Sequence, residues 1–240
     1  MKKSLVCIIL LITTGISGVY SQGRRGLYGH RAGDGYSIIM IEAAPAYLFG
    51  DVGGKMQTTL FKGTTFNPSS IRALGGVSYR YIFPNNLSVK LNALYGYYYG
   101  TDAQTSFDTR AYTVKSGIFE FSFQGEMFLL GGPRELGSSL HSLYLFTGAG
   151  MLIQNPVLTG NSRSSDKIVQ GVNTTPVLPF GVGYEYYIGR GLSVGVEGAF
   201  RYSVGDFLDG LKTPFSDNND VITNIGVTVS YNFSIGSSFR

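Results

Sequence analysis

Between Ile71 and Tyr99 the chain carries two thirteen-residue runs of alternating apolar and polar residues on either side of one short turn. In the first run Ile71, Ala73, Gly75, Val77, Tyr79, Tyr81 and Phe83 share one parity, and Arg72, Gly76, Ser78 and Arg80 share the other. After Pro84-Asn85-Asn86 the pattern resumes, with Leu87, Val89, Leu91, Ala93, Tyr95, Tyr97 and Tyr99 opposed to Ser88, Lys90, Asn92 and Gly96. Side chains leave a pleated strand on alternate faces, so period two over this length specifies strand. Pro and Asn supply the turn. Globular strands average about 5 to 6 residues, whereas a tilted strand crossing the hydrocarbon of a bilayer needs roughly 9 to 11. Aromatic residues at the ends of the apolar faces suit the membrane boundary. The competing expectation is a soluble, lipocalin-like barrel in which the same apolar face is the core.

Composition supports the membrane reading. Charged residues make up 14% of the 240 residues, against about a quarter in ordinary soluble domains, so a large fully solvated surface is not expected. The 34 Gly, 17 Tyr and 16 Phe favour strands and turns. Past the N-terminus there is no apolar stretch of about 18 residues that could form a membrane helix. A chain that spans a bilayer without such a helix must do so as a closed sheet, in which every backbone group pairs between strands.

Met1-Lys2-Lys3, the apolar run Leu5 to Ile16, and Val19 and Ser21 before Gln22 read as a secretory signal peptide over residues 1–21. Cys7, the only cysteine, falls inside it, so the mature chain is expected to have no disulfide, thiol catalyst or Cys-ligated metal. Residues 22–36 form a basic, Gly-rich arm with Arg24, Arg25 and Arg31 against Asp34, and an exported chain of this kind is not expected to bind nucleic acid. Residues 37–233 are the expected barrel, and 234–240 a short tail.

Eight strands are predicted: Ser37 to Phe49, Ile71 to Phe83, Leu87 to Tyr99, Thr113 to Leu129, Ser142 to Ile153, Thr175 to Tyr186, a seventh from Leu192 to Tyr202, and Thr223 to Phe233. Pro45 in the first marks a bulge or an edge position. Both faces of the fifth are nearly apolar, which leaves its inward parity open. Long and short connections alternate, as in bacterial up-and-down barrels, with Pro84 to Asn86, Leu130 to His141 and Tyr187 to Gly191 as periplasmic turns. The fold expected is all-β: an eight-stranded antiparallel transmembrane barrel with a filled polar interior.

Eight strands enclose a space that side chains fill, so no open pore is expected. Glu42, Arg72, Arg80, Lys90, Glu120, Glu126, Glu185, Glu197 and Arg201 fall on the inward parity. Charges there must pair, because an isolated buried ion is very costly. Matching Phe83 with Leu87 sets Arg80 opposite Lys90, and like charges in that relation repel. Neighbouring strands must therefore supply acids, and residue counts from the strand ends predict Arg80 near Glu42 and Lys90 near Glu126, with Glu185 and Glu197 at similar depth.

No catalytic constellation stands out. The histidines are His30 and His141, and Ser139 or Ser142 beside His141 is a weak match to outer-membrane lipid hydrolases, with no orienting acid placed beside it. Glu120 and Glu126 read as lumen charges rather than an acid–base pair. Asp206, Asp209, Asp217 and Asp220 match no defined calcium loop. The expectation is a non-enzyme without cofactor or metal.

The chain resembles small eight-stranded outer-membrane barrels of the OmpA/OmpX type, and within them it is similar to the PorG family of Bacteroidota. The narrower likeness rests on Phe49-Gly50-Asp51, Tyr79-Arg80-Tyr81, and Arg201 followed by Asp206-Phe207-Leu208-Asp209-Gly210. The ending Val227-x-Val229-x-Tyr231-x-Phe233 is similar to the strand recognised by barrel-assembly machinery, although Ser234 to Arg240 extends beyond it. The resemblance implies a scaffold of the type IX secretion system, tying a periplasmic ring lipoprotein and associated subunits to the outer membrane. Partner contacts would then fall on Arg24, Arg25 and Arg31 of the arm and on Arg134 and Glu135 of a turn. The alternative is an OmpX-like adhesion or defence barrel working through its long outer loops, and a less favoured one is a lipid-modifying enzyme.

Overall fold

The computed structural model describes residues 35–49, 61–62, 65–66, 72–101, 112–131, 140–160, 167–168, 171–189, 191–205, 208, 211–212 and 220–233. The barrel strands are β1 Tyr36–Phe49, β2 Arg72–Ile82, β3 Leu87–Thr101, β4 Thr113–Leu130, β5 His141–Thr159, β6 Asn173–Gly189, β7 Leu192–Ser203 and β8 Val221–Phe233. Each pairs antiparallel with its neighbours in sequence, and β8 closes on β1. Two short ribbons lie outside the barrel: Phe61–Lys62 pairs with Thr65–Phe66, and Lys167–Ile168 with Leu211–Lys212.

The ladder defines the barrel's geometry. One row of directly opposed residues runs Tyr36, Ile82, Ser88, Glu126, Phe146, Gly181, Ala199, Asn224 and returns to β1 at Ala46, ten residues beyond its start. With strands about 4.8 Å apart and a rise of about 3.3 Å per residue, that stagger tilts the strands by about 40° and gives a backbone radius of about 8 Å. Such a bore is filled by side chains.

Parity follows the expected sense. Ile41, Val77, Tyr95, Phe121, Phe123, Val182, Val196, Ile225 and Val227 are exposed on the outside, while Arg80, Lys90, Glu185 and Glu197 are buried inside. This inverts a soluble barrel and excludes the lipocalin-like alternative. Aromatic rings cluster at both edges of the outer apolar band, with Tyr81, Phe83, Tyr186 and Tyr231 near the short turns and Tyr95, Tyr97 and Tyr202 toward the long connections. From Leu192 to Tyr202 β7 climbs roughly 25 Å along the axis at this tilt, the height of an outer-membrane apolar band.

Pro45 produces neither a bulge nor an edge. The β1–β8 ladder skips Ala44 and Pro45 and resumes in the same register at Ala46, while Pro45 stays opposite Ala73 of β2. The missing N–H costs the ladder a bond without shifting it. At the turns, Asn86 adopts a left-handed backbone (φ 62°), which Asn tolerates better than most residues. Gly131 (φ 63°) leaves no room for a side chain: a Cβ would lie 1.6 Å from the His141 carbonyl oxygen.

Two expectations about extent are corrected. β5 continues to Thr159 and β6 begins at Asn173, so part of the expected loop after Ile153 is sheet. The parity of β5 is resolved, with Ser142, Tyr144, Phe146, Leu152 and Gln154 buried and Leu145, Met151 and Ile153 exposed.

Candidate functional site

The alternation of all eight strands delivers Glu42, Arg80, Lys90, Glu120, Glu126, Glu185, Glu197 and Arg201 to the lumen, each no more than 3% exposed. The side chain of Arg72 lies outside the described residues. The charges form two groups at different depths.

In the lower group the tight β2–β3 turn fixes Arg80 opposite Lys90, as expected. Glu126 of β4 separates the two cations: its Oε1 lies 3.3 Å from Lys90 Nζ and accepts from Arg80 Nη2 at 3.2 Å. Its Oε2 lies 2.6 Å from Arg80 Nε, a close ion contact not aligned as a hydrogen bond, and accepts from Ser88 Oγ. Glu185 takes Arg80 Nη1 at 2.7 Å, and both oxygens of Glu197 accept from Lys90 Nζ, at 2.9 and 3.0 Å. Ser230 Oγ donates to Glu185 and Tyr144 Oη to Glu197.

The cations also lie over aromatic rings. Arg80 Cζ is 4.5 Å from the Tyr144 ring centre and Lys90 Nζ 4.5 Å from that of Phe146. The sequence makes room for these rings with Gly181 and Gly183 on the neighbouring β6: a Cβ at Gly183 would meet Tyr144 Cζ at 2.1 Å, and one at Gly181 would meet Phe146 Cζ at 2.5 Å. Desolvated cation–π contacts of this kind contribute about 2 kcal/mol each.

The upper group is a chain of hydrogen bonds. Arg201 Nε donates to Glu120 Oε2 at 2.5 Å, its Nη1 donates to Asn224 Oδ1, and Asn224 Nδ2 donates to Glu42 Oε1 at 2.8 Å. The pairing of Lys90 with Glu126 was expected, as were Glu185 and Glu197 at that level. The pairing of Arg80 with Glu42 is corrected: Ile38 stands opposite Arg80, and Glu42 stands opposite Gly76, four residues or roughly 13 Å farther along β1.

The lumen is polar only in its middle. Tyr36, Ile38, Ile82, Phe128, Tyr144, Phe146 and Tyr187 fill the end nearest the short turns. At the other end Leu74, Tyr98, Tyr112, Val114, Ile118, Leu152, Leu158, Val177 and Ile222 gather around Leu208, a residue of the β7–β8 connection that is wholly buried. Leu208 is pinned by its backbone: its N–H donates to Asp220 Oδ2 at 2.7 Å and its carbonyl accepts from Tyr98 Oη. The expected polar plug is therefore a polar belt between two apolar layers. Leu208 escaped sequence reading because one leucine in a loop has no period to betray it. Tyr144 and Phe146 were masked by the apolar character of both β5 faces, although Gly181-Val182-Gly183 was a signal for bulky neighbours.

The weakly favoured serine–histidine pairing does not form through Ser142. His141 and Ser142 are successive strand residues on opposite faces. His141 is outside, bonded through Nδ1 to Tyr184 Oη and packed 5.1 Å from the Tyr186 ring, whereas Ser142 is fully buried inside beside Tyr187. Glu120 and Glu126 are bound up with cations. Among the described residues no three His, Cys, Asp or Glu side chains are grouped to hold a metal. Ser139, Arg24, Arg25, Arg31, Arg134, Glu135, Asp206, Asp209 and Asp217 lie outside the described residues.

No family model matches the chain, and no curated protein does. Solved structures share its architecture. It is similar to Neisserial surface protein A at 12% identity and a TM-score of 0.54, covering 83% of this chain and 99% of that one. It is also similar to a major outer membrane protein from Thermus thermophilus (10% identity, TM-score 0.45, 82% and 99% covered) and to the Yersinia pestis attachment invasion locus protein Ail (14%, 0.43, 82% and 99%). Its closed antiparallel sheet, outward apolar band and aromatic belts make the chain an eight-stranded bacterial outer-membrane β-barrel.

Proposed function

We propose that this barrel is a non-catalytic, non-conducting anchor in the outer membrane and acts as a scaffold for periplasmic components of a protein secretion system, on the PorG-like type IX pattern. The observation that supports the anchor is the interior itself: buried ion pairs are sealed between an apolar layer below and the Leu208 stopper above. A lumen so filled leaves the ends of the barrel as the working surfaces. The type IX assignment draws on the sequence likeness alone. Its motif residue Arg80 lies in the charge belt, with Tyr79 and Tyr81 on the outer face. In vivo cross-linking followed by affinity purification of the full chain from outer membranes tests the scaffold. Recovery of a periplasmic ring lipoprotein, lost when Arg24, Arg25 and Arg31 are changed to Ser, is the expected result. A correctly inserted barrel that captures no periplasmic subunit overturns it.

One observation favours the surface-adhesion alternative as a second reading. β4 starts at Thr113, opposite Thr159 of β5, so both strands run well past the Tyr95–Tyr97 belt. Their inward side chains Val114 and Leu158 are buried there, as is Tyr112 just before β4. An ordered outer head suits ligand binding. Binding of intact cells to host or matrix surfaces that persists in the arginine-to-serine variant would favour this reading over the scaffold.

A further inference from the structure

Among the described side chains the lumen charges do not balance, and five buried glutamates face three cations: Arg80 and Lys90 serve Glu126, Glu185 and Glu197, and Arg201 serves Glu120. Glu42 is the carboxylate that no described cation contacts. Its Oε1 accepts from Asn224, and its Oε2 has no hydrogen-bond partner among the described residues.

A second orphan stands beside it. Thr228 of β8 lies directly opposite Glu42 in the β1–β8 ladder, is 1% exposed, and its Oγ1 also has no partner. Opposed residues of an antiparallel pair lie about 4.5 to 5.5 Å apart at Cα with side chains on the same face. The wall on either side is bare: Gly195 faces Thr228 across β7, with Thr228 Oγ1 2.8 Å from where its Cβ would be, and Gly76 faces Glu42 across β2. Among the described residues the position thus offers a carboxylate oxygen and a hydroxyl oxygen, both buried and without a hydrogen-bond partner, on directly opposed residues of adjacent strands.

We propose that Glu42 and Thr228 bind a hard, oxygen-seeking cation of the sodium or calcium class inside the barrel. Oxygen-only donors suit such ions and not the softer transition metals. The ion supplies Glu42 with the counter-charge that the nearby cations give to the other glutamates. Because both ends of the lumen are closed, it is captured as the barrel folds and acts as a built-in stabiliser.

The test uses the full chain, stripped with chelator while unfolded and refolded in a zwitterionic detergent at equal ionic strength in sodium, calcium or tetramethylammonium chloride. Thermal unfolding is followed by far-UV circular dichroism. At about ten times its dissociation constant a bound ion stabilises the fold about elevenfold, which raises the midpoint by about 3 to 6 °C in a chain of this size. The expected result is a higher midpoint in sodium or calcium than in tetramethylammonium, with the difference abolished in Glu42→Gln and in Thr228→Val. Equal midpoints in all three salts overturn the site, as does a difference that survives both substitutions. Glu42→Gln that is more stable than the parent in every salt also overturns it, because the carboxyl is then neutralised by a proton. Should neither variant fold, elemental analysis of the desalted parent decides: about one sodium or calcium per barrel supports the site, and none refutes it.

Discussion

Glu126→Gln is the sharpest perturbation of the charge belt. The substitution preserves shape and removes one charge from between two cations that the β2–β3 register holds face to face. Arg80 keeps Glu185 at 2.7 Å and Lys90 keeps Glu197 at 2.9 Å, so neither is orphaned. What is lost is the 2.6 Å contact to Arg80 Nε and the 3.3 Å contact to Lys90, together with screening of the Arg80–Lys90 repulsion. Breaking a buried pair costs about 3 to 5 kcal/mol, and the retained partners argue for the lower end, about 3 kcal/mol. At about 2 to 4 °C per kcal/mol for a chain of this length, the thermal midpoint in detergent falls by roughly 6 to 12 °C. A double-mutant cycle of Glu126→Gln with Lys90→Met should be non-additive, the double variant losing less than the sum of the two single losses, since residues in contact are coupled. In tetramethylammonium chloride Glu42→Gln, at a carboxylate with no described cation, should stay within about 1 kcal/mol of the parent. If Glu126→Gln and Glu42→Gln cost the same, or if the double variant is simply additive, the belt is not held by these pairs.

The remaining predictions probe the wall, the membrane face and the stopper. Gly183→Ala drives a Cβ into Tyr144 (2.1 Å to Cζ) and should cost about 1 to 3 kcal/mol by overpacking, largely relieved by Tyr144→Leu, in urea titrations of the folded barrel. Phe123→Arg, in the middle of the outer band, should cost about 2 to 4 kcal/mol in lipid vesicles, whereas Val172→Arg, 76% exposed beyond the band, should cost almost nothing; equal effects would refute the placement of lipid. Leu208→Ala should cost about 2 to 5 kcal/mol as a core truncation, yet planar bilayers should still show no conductance, because the charge belt beneath remains closed.

How much of this could be read from residues alone follows from what fixes each feature. Parity needs only period two, so the lumen identity of Glu42, Arg80, Lys90, Glu120, Glu126, Glu185, Glu197 and Arg201 was legible. Parity failed to declare itself in β5, where inward Tyr144 and Phe146 are as greasy as outward Leu145 and Met151, because the lumen there is apolar rather than polar. The strand ends were blurred beyond the bilayer, where β5 runs on to Thr159 and β6 begins already at Asn173 without the lipid-facing contrast that makes a membrane strand recognisable.

Which charges meet is a different question, because it depends on register. The β2–β3 pair is joined by a short turn that leaves one register, so Arg80 opposite Lys90 followed from sequence. The connection between β1 and β2 runs over residues 50–71 and imposes nothing comparable. Counting residues from strand ends then puts Glu42 at the depth of Arg80, but the observed ladder sets Tyr36 opposite Ile82, which leaves Arg80 two residues from that end and Glu42 six. Around a closed barrel such offsets accumulate to the ten-residue stagger, which belongs to all eight strands together and to no single hairpin. A wrong register would fall hardest on Glu126, the one acid among the described residues that touches both Arg80 and Lys90. Sliding β4 by two residues would keep every side chain on its proper face, yet it would put Gln124 or Phe128 in the place of Glu126 opposite Ser88. Register in this barrel is therefore specified by charge matching inside as much as by the greasy face outside.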